Sequence, residues 1–228
     1  MTRPKLQPVR NIACPSALAI AVLRVSDAPA PALKLDVLPD FARLPDTEAQ
    51  ACARELAELG LIVRRGGHCV IAPWPIERIV EHLSMAAAFN ALAAYQIAMC
   101  GGSADFTRLE AIGAALGALD RIDPDNLLNG AYLDYQFHLE LVRLSGNRTA
   151  FQTYRSAIPP AAWLAGANYF QLEEAASSLS EHERLIDAMR REDALRARDA
   201  AAFHLEEAVA QIRKAGREKI QSYPVAHA

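Results

Sequence analysis

The stretch from Thr47 to Ile71, TEAQACARELAELGLIVRRGGHCVI, decides the fold of the first third of the chain. Thr47, followed three residues later by glutamine, has the capping-box pattern and predicts a helix that ends at Gly60. Two short β-prone runs follow, separated by Gly66 and Gly67. Because a two-residue hairpin turn needs positive φ at both central positions, these glycines predict a tight hairpin.

Two more helices are predicted upstream of this stretch. One spans Ser16 to Arg24, and the other lies within Leu35 to Leu44 and begins near Pro39, since proline suits the first turn of a helix. Three helices followed by a hairpin predict an N-terminal winged helix-turn-helix over residues 1–75. The proline-rich segment Ala72 to Pro75 marks the expected domain boundary.

Residues 76–228 are almost entirely helical in pattern, with short breaks between Ala- and Leu-rich segments. The chain is 52% hydrophobic but only 7% aromatic, which favours helices packed on helices over a β-sandwich. We therefore expect a mainly α protein, whose second domain is an all-α antiparallel helical bundle.

Charge and cysteine content exclude several classes of protein. The formal net charge of −3 excludes a uniformly basic nucleic-acid coat, and four cysteines without a CxxC spacing do not make a disulfide framework. An apolar run near the N-terminus contains Pro15 and precedes Arg24, so we favour a first helix over a secretion signal. No apolar run approaches a membrane span, and we expect a cytoplasmic protein with no membrane partner.

One group of residues has the chemistry of a metal site. Asp134 and His138 are four residues apart and share one face of a predicted helix, whereas His182 and His204 lie on two later helices. A carboxylate and three imidazoles from three helices of a bundle would hold one divalent ion. The alternative is that the histidines are ordinary hydrogen-bonded core residues.

A resemblance becomes visible at these residues. The blocks DYQFH (134–138) and LSGN (144–147), followed by EHERLIDA (181–188) and HL (204–205), resemble the signature of FadR-type GntR regulators, whose effector domain is called FCD. The resemblance covers roughly residues 76–215. It implies an all-helical effector domain in which Asp134, His138, His182 and His204 bind a divalent metal that holds a small organic acid.

The resemblance also implies a DNA-binding head, a homodimer and a two-fold DNA operator. Two arginines that the family usually has on its recognition helix are replaced here by Asp46 and Gln50. Asp46 would repel phosphate, whereas Gln50 can still read an adenine edge. The expected DNA contacts are therefore Thr47, Gln50, Arg54, Arg64, Arg65 and His68.

The effector pocket departs from the family pattern as well. The usual arginine and glutamate of the first bundle helix are absent, with Ala86 and Asn90 near those positions. We expect Asn90 and Asn147 to contact a small carboxylate effector. Three imidazoles suit Zn or Ni, and the carboxylate admits Mn or Fe.

Three functions remain open at this point. The first is a ligand-responsive transcriptional regulator that is not an enzyme. The second is a metal-dependent sensor or binding protein that has lost sequence-specific DNA binding, suggested by Asp46 and Gln50. The third and weakest is a metal-dependent enzyme, since an open metal position acidifies water but the sequence offers no separate general base.

Overall fold

The computed structural model describes residues 14, 16–26, 33–100, 104–119, 124–169 and 172–222. Over these residues the chain is mainly α-helical, as predicted, with a single two-stranded hairpin. The elements in chain order are α1 Ser16–Ser26, α2 Pro39–Ala42, α3 Asp46–Glu58, β1 Ile62–Arg65, β2 His68–Ile71, α4 Ile76–Met99, α5 Thr107–Gly117, α6 Pro124–Leu144, α7 Arg148–Ala157, α8 Ala161–Gly166, α9 Leu172–Arg190 and α10 Ala194–Ser222.

The hairpin forms as the glycine pair predicts. Gly66 and Gly67 have φ of 53° and 84°, and β1 pairs antiparallel with β2 in a register that places Ile62 opposite Ile71. The outer edge of β2 is partly covered, because the Ile71 N–H donates to the Leu33 carbonyl at 2.8 Å. The hairpin is therefore anchored to the segment that precedes α2.

Of the two helix predictions in this region, one needs correction. The capping box at Thr47 does not form: α3 already begins at Asp46, after Pro45, and no side chain caps it. Proline's restricted φ favours the turn that starts the helix here, so Thr47 lies inside its first turn. The helix predicted within Leu35 to Leu44 forms and begins at Pro39 as expected: it is the four-residue α2, preceded by a 3₁₀ turn.

The bundle is organised around the antiparallel pair α4 and α10. Ile76 at the start of α4 occupies the space beside Gly216 near the end of α10, and Ile79 and Ile212 both pack against Gly166 of α8. Helix α6 packs against α4, α5, α7 and α8, while α9 packs against α10, α4 and α5. This arrangement brings the inner faces of α6, α9 and α10 together. No helix in the described part of the chain is both long and apolar enough to cross a membrane.

The N-terminal elements and the bundle are in direct contact. The Ala161 N–H donates to the Leu59 carbonyl at 2.8 Å, and the Trp74 indole N–H donates to the Gly60 carbonyl at 3.0 Å. Gly60 has φ of 83° and faces Pro159 so closely that an added Cβ would lie 3.0 Å from the Pro159 Cβ. The end of α3 therefore rests on the start of α8.

Candidate metal centre and DNA-reading face

The four predicted ligands meet inside the bundle. Asp134 and His138 lie one turn apart on α6, His182 lies on α9 and His204 on α10. One potential ligand atom from each lies within 4.8 Å of those of the other three. Because metal–ligand bonds of about 2 Å place two ligand atoms of one ion up to about 4 Å apart, small side-chain shifts close this cluster on an ion.

The shortest approaches within the cluster join Asp134 and two histidines. His182 Nε2 lies 3.1 Å from Asp134 Oδ1 and 3.1 Å from His204 Nε2. His138 Nε2 lies 3.8 Å from Asp134 Oδ1. Both Asp134 Oδ1 and His138 Nε2 are buried and make no hydrogen bond. Since buried polar atoms nearly always have partners, these two orphaned atoms fit a metal ion.

Second contacts orient three of the ligands. The His138 Nδ1–H donates to Asn90 Oδ1 at 3.1 Å, because the Asn90 amide nitrogen is already donating to the Ala86 carbonyl. The His204 Nδ1–H donates to Glu181 Oε2 at 2.7 Å. Both bonds leave the Nε2 lone pair directed at the cluster, which is how metal-binding histidines are usually held.

Asp134 and His182 are fixed by aromatic neighbours. Asp134 Oδ2 accepts a 2.9 Å hydrogen bond from the Trp163 indole N–H, which leaves Oδ1 to face the imidazoles. The His182 ring stacks on Phe137 with ring centroids 4.0 Å apart. Among the described residues, no group pairs with the buried His182 Nδ1.

The electrostatics of the cluster favour the protonation states that a metal needs. Burial lowers the pKa of His138 well below its usual value, and burial also lowers the pKa of His182. Burial alone would raise the pKa of Asp134, but the neighbouring imidazoles, led by His138, bring it below its usual value. At neutral pH His138 and His182 are therefore neutral and Asp134 is ionised, which are the protonation states of metal ligands.

The two predicted effector residues lie at different places. Asn90 is fully buried, and its side-chain oxygen accepts the hydrogen bond from His138 Nδ1, the ring nitrogen that does not face the cluster. Asn147 caps α7: its side-chain oxygen accepts the Ala150 N–H at 3.0 Å, and its amide donates to Gln96 Oε1 at 3.4 Å. In this structure both amides are engaged by protein groups, and their contact with an effector stays a prediction.

Two partners of the metal ligands were missed at the sequence level. Glu181 directly precedes His182 but contacts His204, so its position beside a predicted ligand was a usable signal. Trp163 lies 29 positions from Asp134, and no spacing rule connects them.

The predicted DNA contacts are all exposed, in two groups. Thr47, Gln50 and Arg54 lie on one face of α3, spaced as i, i+3 and i+7. The second group is on the hairpin, where Arg64, Arg65 and His68 are exposed.

The two groups differ in charge. Helix α3 contains four acidic residues and one basic residue, and its exposed acids include Asp46 and Glu48. Exposed Lys34 adjoins the hairpin group, with its Nζ 3.5 Å from His68 Nε2. The hairpin tip is therefore basic and the helix acidic.

Comparisons with known proteins agree with this architecture. A family model for the FCD domain matches residues 81–207, more than half of the chain. No curated protein sequence matches.

Among solved structures, Lar of Listeria monocytogenes, which controls expression of the agr system, is similar at 14% identity and a TM-score of 0.60, over 87% of this chain and 95% of its own. McbR/YncC of E. coli is similar at 14% identity and a TM-score of 0.56, over 86% and 97%. A GntR transcriptional regulator from Rhodococcus sp. RHA1 is similar at 16% identity and a TM-score of 0.59, over 91% and 96%. At such identities these likenesses support the fold, whereas the domain match decides the family. The chain belongs to the FCD-domain family, the effector-domain family of FadR-type GntR transcriptional regulators.

Proposed function

We propose that this GntR-family regulator binds a divalent metal ion in its FCD domain, that the ion holds a small carboxylate effector, and that a homodimer binds DNA. The observation that carries the proposal is the cluster of Asp134, His138, His182 and His204, whose ligand atoms face one another while outer contacts orient three of the four. A core packed for stability alone has no reason to bury Asp134 Oδ1 and His138 Nε2 without partners.

The proposed ion is Zn or Ni, with Mn or Fe as the other options for this ligand set. When bound, it supplies a positive charge and open positions that accept a carboxylate. The test is the metal content of untagged protein and of the Asp134→Ala and His204→Ala variants. We expect about one ion per chain, lost in both variants and retained in His68→Ala, which removes an exposed histidine outside the cluster. Full occupancy in the ligand variants would refute the site.

The carboxylate effector would depend on the metal for its charge partner. Within the part of the chain that the structure describes, the charged groups that influence the pKa values of Asp134, His138 and His182 are these residues themselves, His204 and Glu181, and none is a lysine or arginine. An anion in so buried a place needs a cation. We therefore expect small carboxylates to raise the melting temperature of the metal-loaded protein and to leave that of the chelator-treated protein unchanged.

Tyr154 is the best candidate for a second effector contact. Its ring packs against Phe89 and Tyr135, and its hydroxyl is buried without a hydrogen-bond partner. Burial raises the pKa of Tyr154 well above its usual value, so the hydroxyl remains a donor. Tyr154→Phe should weaken carboxylate binding without changing metal content. Equal carboxylate affinity in the variant would exclude this contact.

The hairpin is the stronger half of the proposed DNA interface. Arg64, Arg65 and the adjacent Lys34 present positive charge, whereas the exposed face of α3 presents Asp46 and Glu48. Each phosphate contact contributes roughly 0.9 to the slope of log affinity against log salt. Arg64→Ala and Arg65→Ala should each reduce the slope by about one unit on a duplex, whereas Arg54→Ala should change it less.

An apolar stripe on α4 supports the homodimer. Met85, Leu92 and Met99 recur every seven residues and are 45%, 43% and 63% exposed. A seven-residue repeat forms one stripe along a helix, as in helix pairs. Leu92→Glu should shift the protein towards monomer in light-scattering chromatography, whereas Val37→Glu, at an exposed apolar residue outside the bundle, should not. A dimer that survives Leu92→Glu would refute this surface.

A second candidate function is a metal-dependent sensor that no longer binds DNA specifically. The observation that favours it is the acidic exposed face of α3. Duplex binding that is undetectable even at low ionic strength would select this alternative, since non-specific phosphate contacts are strongest there.

A further inference from the structure

Helix α8 touches both the metal cluster and the end of the recognition helix. It has only six residues, Ala161–Gly166, all of them buried, and it follows the pair Pro159 and Pro160. Such a short, buried and proline-led element has little freedom to move without moving its neighbours.

At the cluster, the contact is made by Trp163. Its indole N–H donates to Asp134 Oδ2 at 2.9 Å, and its ring lies 5.6 Å from the His138 ring between centroids. Trp163 is therefore hydrogen-bonded to one proposed ligand and adjacent to another. A shift of Asp134 towards an ion displaces the acceptor of this hydrogen bond.

At its first residue, α8 contacts the C-terminus of α3. The Ala161 N–H donates to the carbonyl of Leu59, the residue that ends α3. The next residue, Gly60, faces Pro159, and its carbonyl accepts the Trp74 indole N–H at 3.0 Å. The end of the recognition helix thus meets the start of α8 through one hydrogen bond and a close packing contact of Gly60 with Pro159, while Trp74 holds the Gly60 carbonyl.

We propose that α8 is the element that couples the metal site to the recognition helix, with Trp163 as the positioning residue beside the cluster and Ala161, two residues before it, as the contact with Leu59. The proposal rests on the proposed metal function. Asp134 would be one of the residues that hold the ion, and the hydrogen bond that Trp163 donates to Asp134 Oδ2 would pass a shift of this carboxylate to α8 and so change the position or freedom of α3. Coupling of this kind is reciprocal, so a change at Gly60 changes metal affinity.

A matched pair of glycine variants tests this reciprocity. Gly60→Ala and Gly67→Ala impose almost the same backbone strain, because φ is 83° at Gly60 and 84° at Gly67. They differ in surroundings: the new Cβ at position 60 meets Pro159 at 3.0 Å, whereas nothing lies within 4 Å at position 67. Zn²⁺ affinity, measured by competition with a chromophoric chelator, should fall at least about fivefold in Gly60→Ala, at the lower end of typical couplings. It should remain near the unsubstituted protein's value in Gly67→Ala.

A second variant tests the contact between α8 and Asp134. It still tests the coupling if Gly60→Ala does not fold. Trp163→Phe keeps an aromatic ring but removes the N–H that Asp134 accepts. In the unsubstituted protein, Zn²⁺ should slow hydrogen exchange of the amides at residues 56–61. In Trp163→Phe, Zn²⁺ should still bind, but this slowing should be lost.

The outcomes separate the coupling from the function on which it rests. If Zn²⁺ does not bind the unsubstituted protein, the proposed metal function is wrong and the coupling falls with it. If Zn²⁺ binds normally but Gly60→Ala and Gly67→Ala have equal affinity, the coupling alone is wrong. Slowing of hydrogen exchange by Zn²⁺ that persists at residues 56–61 in Trp163→Phe would also show that the coupling alone is wrong.

Discussion

The candidate metal cluster and α3, the proposed recognition helix, obey different physical constraints. In the cluster, His138 is held by Asn90, His204 by Glu181 and Asp134 by Trp163, so each of these ligands has a second partner. On α3, Thr47, Gln50 and Arg54 are exposed. A buried polar group that loses its partner costs about 1–3 kcal/mol, whereas an exposed substitution usually changes stability by less than about 0.5 kcal/mol. The fold therefore restricts the cluster and leaves the reading surface free to vary.

The largest expected effect is the increase in the free energy of unfolding when a metal ion binds the cluster. An ion at a thousand times its dissociation constant stabilises the folded state by about 4 kcal/mol. His182→Ala should abolish this gain, measured as the increase in urea midpoint on adding Zn²⁺. His68→Ala on the hairpin should retain it. A gain that survives in His182→Ala would show that the buried cluster is not the binding site.

A pair of glycines compares a packed position with an open one. Gly216→Ala places a methyl group where Ile76 Cδ1 lies, so the end of the Ile76 side chain must shift, and this repacking should cancel most of the roughly 1 kcal/mol that alanine gains over glycine in a helix. Gly113→Ala, within α5, meets nothing within 4 Å and should stabilise by up to about 1 kcal/mol through helix propensity. Equilibrium unfolding in urea measures both. Equal effects would mean that the α4–α10 contact is looser than the structure shows.

Local patterns were predictable from the sequence, and long-range partners were not. The hairpin required only the adjacent Gly66 and Gly67, and the shared face of Asp134 and His138 required only a four-residue spacing. His182 and His204 were candidates because they lie on two later helices of the predicted bundle, and the family resemblance supported the choice, since helical periodicity alone does not specify which helices meet. The contact of Trp163 with Asp134 could not be predicted for the same reason, because it depends on the packing of α8 against α6.

The short-range error at Thr47 has a different cause. The capping-box pattern was present, but Pro45 precedes it, and α3 begins immediately after that proline. Two local signals competed, and proline's fixed φ determined where the helix starts. The exposed position of Thr47 was still compatible with the predicted DNA contact.

The pH dependence of stability should distinguish the cluster from exposed histidines. Burial lowers the folded-state pKa of His138 and His182, so the unfolded chain takes up protons that the folded chain refuses as the pH falls below about 6.5. Metal-free protein should lose about 1–2 kcal/mol of unfolding free energy between pH 7 and pH 5.5. His182→Gln should make the loss shallower, and His68→Gln should leave it unchanged. Stability that does not depend on pH over this window would contradict the burial of neutral imidazoles.

A smaller change in stability is expected from a charge reversal at Asp46. This substitution also tests directly whether α3 faces DNA. Asp46 lies in the first turn of α3, where a carboxylate interacts favourably with the helix dipole, so Asp46→Arg should cost about 0.3–1 kcal/mol of stability. The same substitution removes a charge that repels phosphate and adds one that attracts it. Affinity for a non-specific duplex at low salt should rise roughly tenfold, with the salt slope steeper by about one unit.

Glu77→Arg is the matched control, because Glu77 occupies the first turn of α4 and undergoes the same charge reversal outside the head. It should have a similar cost in stability with little change in duplex affinity, measured by fluorescence anisotropy. If both variants bind DNA equally well, net charge alone explains the gain. If Asp46→Arg binds better, α3 faces the duplex, and the acidic side chains on its surface are what limits its affinity. The tolerance of an exposed helix to such changes is then the reason that its DNA affinity can be altered without disturbing the buried cluster.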